Sequence, residues 1–119
     1  MDYVNLTPHP VVFHRPAYDG HEAMWKTLQP VGRTPARVKM KETPTDDTIW
    51  GMPVIEREPE RLLNLPAPRK DTAYIVSSIM LEQCIGRKDV FAPDTGATAI
   101  RTGRGRIMAV TRMVAAPTK

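Results

Sequence analysis

The sequence predicts an α+β fold, in which a small antiparallel or mixed β-sheet carries one or two short helices in a single domain, residues 1–119. The length of 119 residues suits one hydrophobic core and is short for two. Twelve prolines exclude long helices over much of the chain, because each proline fixes φ and removes a backbone donor. Short runs of β-prone residues between the prolines predict the sheet.

The N-terminal segment predicts a first pair of strands. The runs "YVNL" and "VVFHR" are rich in β-branched and aromatic residues. Between them stands "TPHP", whose two prolines favour a turn over a helix. The next stretch, Pro16–Gly32, has turn-forming residues at both ends and is predicted to be a loop. Within this loop the spacing of Met24, Trp25 and Leu28 predicts one helical turn.

The middle of the chain predicts further strands and a connector. "PARVKM" alternates apolar and basic residues, as in a half-buried strand. "TIWGMPVIERE" predicts one or two strands interrupted at Gly51 and Pro53. The proline-punctuated "PERLLNLPAPRKD" is expected to connect these strands to the next element.

A strand, a short helix and a second strand are predicted next. "TAYIV" forms the first strand, and Ser77 or Ser78 caps the helix, which ends at Gly86. "DVFAP" forms the second strand. The short connection suits a tight α+β unit at least as well as a parallel crossover. The final runs "ATAIRT" and "RIMAVTRMV" predict a hairpin around a Gly-Arg-Gly turn.

The C-terminal hairpin contains the most distinctive charge pattern. The chain carries a formal charge of +4, and no acidic residue follows Asp94. The basic residues here include Arg101, Arg104, Arg106 and Arg112. Guanidinium groups bind phosphate through two hydrogen bonds and stack on rings, so the pattern favours a specific anionic partner. A solvated hairpin tip explains the same residues equally well.

A phosphorylated small molecule fits the aromatic residues better than nucleic acid does. Aromatic side chains do not alternate with these arginines, and no nucleic-acid-binding motif occurs. A small ligand needs only one stacking ring, for which Phe91, Tyr74 and Trp50 are candidates. Ser77 and Ser78 add free N–H groups at the predicted helix start, a position that suits phosphate, although helix capping also explains them.

The sequence contains no pattern that predicts catalysis, a metal site or a cofactor. His9, His14 and His21 lack the spacing of metal ligands, and "DTG" at residues 94–96 is interpreted as a turn. Cys84 lies on the apolar side of the predicted helix, so packing is expected. A lone cysteine suits a reducing cytoplasm, and no apolar run approaches the ~20 residues of a membrane span.

Three segments resemble small phage and prophage proteins: "VNLTPHPVVF", "PVGRTPARV" and "LPAPRKDTAYIVSSIMLEQCIGRKDVFAPDTG". The order of the segments is similar to the first type of Thoeris anti-defence protein. Members of that family sequester cyclic ADP-ribose signals, and some hold cyclic oligonucleotides, in sites between subunits of an oligomer. The resemblance implies a homo-oligomeric, non-catalytic sponge in the host bacterial cytoplasm.

The resemblance also implies roles for individual residues. Phe91 would stack on a base, and Arg101 would stand where the family has a neutral polar ligand contact. On composition, the candidates for phosphate contacts would be Arg33 or Arg37, Arg57 and Arg112. The resemblance thus favours a phage protein that binds a nucleotide signal without cleaving it. The alternatives are an inhibitor that binds a host defence protein and a small nucleic-acid-binding accessory protein.

Overall fold

The computed structural model describes residues 1–32 and 34–119, and within these residues it contains ten strands and one helix. The elements, in chain order, are β1 Asp2–Asn5, β2 Val11–Arg15, β3 Met24–Leu28, β4 Arg37–Ile49, β5 Met52–Leu63, β6 Thr72–Ile75, α1 Ser78–Glu82, β7 Val90–Pro93, β8 Ile100–Arg101, β9 Ile107–Ala109 and β10 Met113–Ala115. Arg33, one of the candidate phosphate contacts, lies outside the described residues.

The central feature is a four-stranded sheet in the order β1-β6-β7-β10. β6 runs parallel to both β1 and β7, whereas β10 runs antiparallel to β7. The mixed sheet and the short helix are therefore confirmed. Strands dominate the fold, because α1 has only five residues. β6 and β7 pair in parallel, so the β6–α1–β7 connection is the parallel crossover, one of the two alternatives that the sequence left open.

The hydrophobic core lies on the side of the sheet that α1 covers. It contains the fully buried side chains Tyr74, Val76, Met80, Cys84 and Val90. The expectation that Cys84 packs in the core is confirmed, and burial raises the pKa of its thiol. Ser77 caps α1 through a hydrogen bond that its Oγ accepts from the N–H of Met80 at 3.3 Å.

Helix α1 ends earlier than the sequence predicts. Its C-cap is Gln83, and Gly86 lies in the turn beyond it with φ +82°. A glycine is still needed at that position, because the left-handed backbone disfavours other residues. The prediction placed the helix end at the next glycine, three residues beyond the true C-cap.

Asn5 joins β1 to the turn after it and to β3. Its side-chain amide donates hydrogen bonds to the carbonyls of His9 and Leu28, both at 2.9 Å. Its Oδ1 accepts one from the N–H of Thr7 at 2.9 Å and one from the Thr7 hydroxyl at 2.6 Å. Asn5 is completely buried, so these bonds satisfy a side chain that would otherwise be costly to bury. The "NLTPH" motif therefore has a structural role.

The predicted pairing of the first two strands is wrong. Both strands form, but β1 pairs with β6, and β2 pairs antiparallel with β3. Strand β3 occupies the part of Pro16–Gly32 where one helical turn was expected. Met24 and Leu28 are four residues apart, an even spacing that places them on one face of a strand as readily as on one face of a helix.

Strands β4 and β5 form a two-stranded hairpin, which we call the arm. The arm contributes to the elongated dimensions of the protein, 62 × 40 × 29 Å. Gly51 lies in the turn, as expected, but Pro53 lies inside β5, and β5 continues to Leu63 into the predicted connector. A two-stranded ribbon tolerates proline because half of its N–H groups point outward, away from any partner strand.

The C-terminal hairpin is confirmed in its first part only. β8 and β9 pair around the predicted Gly-Arg-Gly turn, where the N–H of Thr102 donates to the carbonyl of Arg106 at 2.8 Å. The chain then leaves the hairpin, and Met113–Ala115 joins the central sheet as β10.

Candidate functional site

A cavity lies between the central sheet and the β2–β3 hairpin, and we call it the sheet-face cavity. It has a volume of about 760 Å³. Its floor is the sheet face opposite α1, where Tyr3 lies beside Ala73 and Ile75 lies beside Phe91. This face is apolar because β6 is buried on both sides. The floor therefore suits a flat apolar group such as a ring.

The β2–β3 hairpin places two cations over this apolar floor. Phe13 lies opposite Lys26, and Arg15 lies opposite Met24, in the antiparallel register. All four residues line the cavity. Side chains alternate along a strand, so every second residue of each strand faces the cavity. The outer face carries His14 and Trp25, whose rings lie 4.1 Å apart.

The guanidinium group of Arg15 is only partly satisfied. Its Nη2 donates to the carbonyl of Glu22 at 3.0 Å, and its Cζ lies 5.1 Å from the centre of the Tyr18 ring. Its Nε is buried without a hydrogen-bond acceptor. Within the described part of the chain, neither Arg15 nor Lys26 forms an ion pair with a carboxylate. A positive charge that lines a cavity and has no carboxylate partner is a position where an anionic group would be stabilised.

Among the predicted ligand-binding residues that the structure describes, Phe91 is the one that lines the sheet-face cavity. It also borders a second cavity of about 480 Å³, which Arg69, Arg87 and Lys88 line as well. Arg87 is already paired there: its Nε and Nη2 donate to the Asp89 carboxylate at 2.8 and 2.9 Å. These hydrogen bonds hold the pKa of Asp89 below its usual range.

Arg101 uses its guanidinium to stabilise the hairpin. Nη1 donates to the carbonyl of Gly105 and Nη2 to the carbonyl of Thr95, both at 2.8 Å. Arg104 and Arg106 are exposed around the turn, and the main-chain N–H of each lies 3.3 Å from the Thr102 hydroxyl that accepts it. These three arginines do not line the sheet-face cavity.

Arg112 forms an ion pair with Asp94, the first residue of the "DTG" triplet. Asp94 also accepts a hydrogen bond from the N–H of Gly96 at 2.9 Å, which confirms the predicted turn. The Arg112 guanidinium, followed by the Gly96 N–H, holds the pKa of Asp94 below its usual range. Arg57 is paired too, since its Nε donates to Glu42 at 3.0 Å.

Arg37 lies at the base of the arm, in a cluster separate from the sheet-face cavity. Together with Lys39 and Arg61 it lines a cleft of about 390 Å³. Lys39 and Arg61 lie directly opposite each other across β4 and β5, an arrangement in which like charges repel. Glu60 lies 3.8 Å from Lys39 and offsets part of this repulsion.

Comparison with protein-family models, with curated proteins and with solved structures finds no match to this chain. Among the described residues, no helix is long and apolar enough to cross a membrane. Residues 1–32 and 34–119 also contain no cluster of three or more side chains suited to bind a metal ion. The site must therefore be interpreted from its own chemistry.

The remaining candidates lie apart from the sheet-face cavity. Ser77 is occupied as the helix cap, and Ser78 is exposed as the first residue of α1. Tyr74 is buried in the core, and Trp50 is exposed at the turn of the arm.

The sequence reasoning missed the two cations of the sheet-face cavity, Arg15 and Lys26. The available signal was the spacing of two residues, which places Phe13 and Arg15 on one face of a strand. The same spacing places Met24, Lys26 and Leu28 on one face of the next strand. It was hidden because residues 24–28 were interpreted as a helical turn within a loop.

Proposed function

We propose that this protein binds a nucleotide-type ligand in the sheet-face cavity and holds it without cleaving it. The observation that carries the proposal is the pairing of an apolar ring platform with two cations that lack carboxylate partners. The ring of Phe91 and the side chain of Ile75 form the platform, and Arg15 and Lys26 lie on the opposite wall.

The chemistry of the cavity matches the two halves of such a ligand. Binding of a base or another ring is stabilised by stacking on Phe91 and by the removal of the ring's apolar surface from water. A phosphate gains charge-assisted hydrogen bonds from the Arg15 guanidinium and from Lys26, neither of which pairs with a carboxylate within the described residues. The volume of about 760 Å³ falls in the range of small-molecule sites.

Retention without cleavage is part of the proposal because of the residue types in the cavity wall. The ionisable side chains that line it within the described chain are Asp2, Tyr3, Arg15 and Lys26. Hydrolysis of a phosphodiester commonly uses a histidine or metal-bound water, and neither histidine nor a metal-binding cluster lines this wall.

The resemblance to the Thoeris anti-defence family indicates which ligand and which biological role to propose. The ligand would be a phosphorylated immune signal, such as a cyclic ADP-ribose isomer or a cyclic oligonucleotide. Sequestration would take place in the host bacterial cytoplasm, where Cys84 remains a thiol. In this proposal Phe91 stacks on the base, as the resemblance implies, whereas Arg15 and Lys26 take the phosphate.

A thermal-shift panel of cyclic ADP-ribose isomers and cyclic di- and trinucleotides tests the proposal. A ligand that binds only the folded state raises the unfolding temperature by mass action. Phe91→Leu and Arg15→Gln should reduce the shift, whereas Arg104→Ala, at the exposed hairpin turn, should not. Ligand released by heating the complex should be chemically intact. If no panel member shifts the wild-type protein, the proposal is wrong.

The basic cluster of Arg37, Lys39 and Arg61 favours a second candidate function. Three cations on one cleft suit a polyanion, either nucleic acid or the acidic surface of a host protein. Oligonucleotide binding would strengthen with length and fall steeply with salt. Arg61→Ala would weaken such binding and leave the response to cyclic nucleotides unchanged.

A further inference from the structure

The turn of the arm holds a large aromatic residue in an unfavourable backbone conformation. Trp50 and Gly51 are the central turn residues, with φ values of +51° and +78°. Two-residue turns of this kind favour Asn-Gly, since positive φ is costly for bulky residues. Trp50 is also 97% exposed. The folding of one chain therefore does not explain tryptophan at this position, and a functional role is the expected reason.

Other apolar side chains extend this exposed surface, which we call the arm tip. Ile49 lies opposite Met52 across the hairpin, and both are more than half exposed. The edges of the arm are less suited to binding. Pro44 and Pro53 lack the backbone N–H groups that another strand would need as hydrogen-bond donors. A partner is therefore expected to contact the arm tip rather than to extend the ribbon.

The sheet-face cavity and the root of the arm lie on opposite sides of the central sheet. Val38 and Leu62, at the root of the arm, pack against the core on the side of α1. The cavity faces the other way, toward the β2–β3 hairpin. The arm is therefore rooted on the side opposite the chain's own cavity, and a second copy is the simplest source of a tip that reaches this cavity.

The arm tip and the cavity are complementary in charge and in apolar surface. Asp46 and Asp47 are exposed beside the tip, in the irregular stretch of β4. Arg15 and Lys26 line the cavity. An apolar cavity of about 150 Å³ can hold benzene, so the sheet-face cavity, at about 760 Å³, has room for an indole.

We propose that the arm tip of one copy docks in the sheet-face cavity of a second copy, with Trp50 as the anchor. The indole contacts the apolar floor, and Asp46 and Asp47 approach Lys26 and Arg15. This inference does not rest on the proposed nucleotide function. A ligand in the same cavity would compete with the docked tip, so binding and self-association would oppose each other.

Sedimentation velocity over a range of concentrations tests this docking. The wild-type protein should form species larger than the 13.4 kDa monomer. Trp50→Ala should weaken association at least tenfold, whereas Ile79→Ala, which removes an exposed apolar side chain from α1, should leave it unchanged. A wild-type protein that stays monomeric, or a Trp50→Ala protein that associates like the wild type, would overturn the proposal.

A charge reversal separates docking from a general loss of apolar surface. Lys26→Glu and Asp47→Lys should each weaken association. A mixture of the two single variants restores one attractive pair, between the lysine introduced in the arm of one protein and the glutamate introduced in the cavity of the other. The mixture should therefore associate more tightly than either variant alone. Equal association in the mixture and in the separate variants would contradict the assigned contact, whether or not any nucleotide binds.

Fluorescence reports on the anchor itself. The chain has two tryptophans, so Trp25→Phe leaves Trp50 as the single indole. Its emission should shift to shorter wavelength as concentration rises, because the indole leaves water. An unchanged emission maximum at concentrations where the protein has associated would show that another surface forms the interface.

Discussion

The side-chain amide of Asn5 donates a hydrogen bond to the main-chain carbonyl of Leu28, 2.9 Å away, and so ties β3 to β1. The same amide bonds the carbonyl of His9. Asn5→Asp keeps the acceptor for Thr7 but turns an oxygen toward both carbonyls. We expect the free energy of unfolding to fall by about 3 kcal/mol, because buried acceptors are left unpaired. Urea unfolding measures this change.

Thr7→Val is the matched comparison for Asn5. It removes the hydroxyl that donates to Asn5 but leaves both amide hydrogen bonds in place. We expect a smaller loss, about 1 kcal/mol. Equal losses for Thr7→Val and Asn5→Asp would mean that the bond to Leu28 does not stabilise the cavity wall.

Arg101→Ala distinguishes a structural arginine from a ligand contact. The resemblance predicts that Arg101 touches ligand, whereas its hydrogen bonds to Thr95 and Gly105 predict that it stabilises the hairpin. We expect a loss of about 1 kcal/mol in stability and nucleotide affinity within twofold of the wild type. Calorimetric titration with a panel nucleotide measures the affinity. A tenfold loss of affinity without loss of stability would support the ligand role instead.

The Arg87–Asp89 ion pair predicts a stability that depends on acidic pH. The pKa of Asp89 is lowered in the folded state, so its contribution is complete above the unfolded value of about 4. It is lost as pH falls through the lower folded value. Asp89→Asn should therefore destabilise at pH 7 by about 1–3 kcal/mol, and the difference should be smaller at pH 2.

Asp46→Asn provides the control for this titration. Asp46 is exposed and makes no ion pair within the described residues. Its replacement should leave the free energy of unfolding nearly unchanged at both pH values. If the Asp89→Asn difference persists undiminished at pH 2, the side chain acts through packing rather than charge.

Lys26→Ala tests which part of a ligand the cations bind. The lysine lies across from Phe13 on the cavity wall, so its ammonium can meet a phosphate beside a stacked ring. We expect about tenfold weaker binding of a nucleotide and little change for the matching nucleoside, which lacks phosphate. Calorimetric titration with the pair measures this difference. Equal losses for both ligands would place Lys26 outside the phosphate site.

The sequence best predicted the features that depend only on residues close together in the chain. The strand containing Tyr74, the cap at Ser77 and the turn at Asp94 follow from burial and capping preferences within a few residues. Strand pairing was harder to predict, because β1 finds its partner some seventy residues later in the chain. Short-range patterns contain no information about such a partner.

The candidate site was harder to predict than the fold. Phe91 was predicted and lines the sheet-face cavity, whereas the predicted arginines of the C-terminal hairpin, which are close in sequence, do not line it. The structure shows Arg101 and Arg112 paired with nearby acceptors. The cations of the sheet-face cavity are Arg15 and Lys26, eleven residues apart, and only the β2–β3 pairing brings them together.

Trp50→Asn should raise the stability of the monomer while it weakens self-association. The replacement creates the Asn-Gly pair that a turn with two positive φ values favours, and relieves a bulky side chain from the left-handed region. We expect a gain of about 1 kcal/mol in the free energy of unfolding, measured by urea at a concentration where both proteins are monomeric. Trp50→Ala, which removes the indole without improving the turn, should show no comparable gain. If Trp50→Asn instead destabilises the monomer, the indole makes stabilising contacts within its own chain. Binding to a partner would then not be needed to explain a tryptophan at this position.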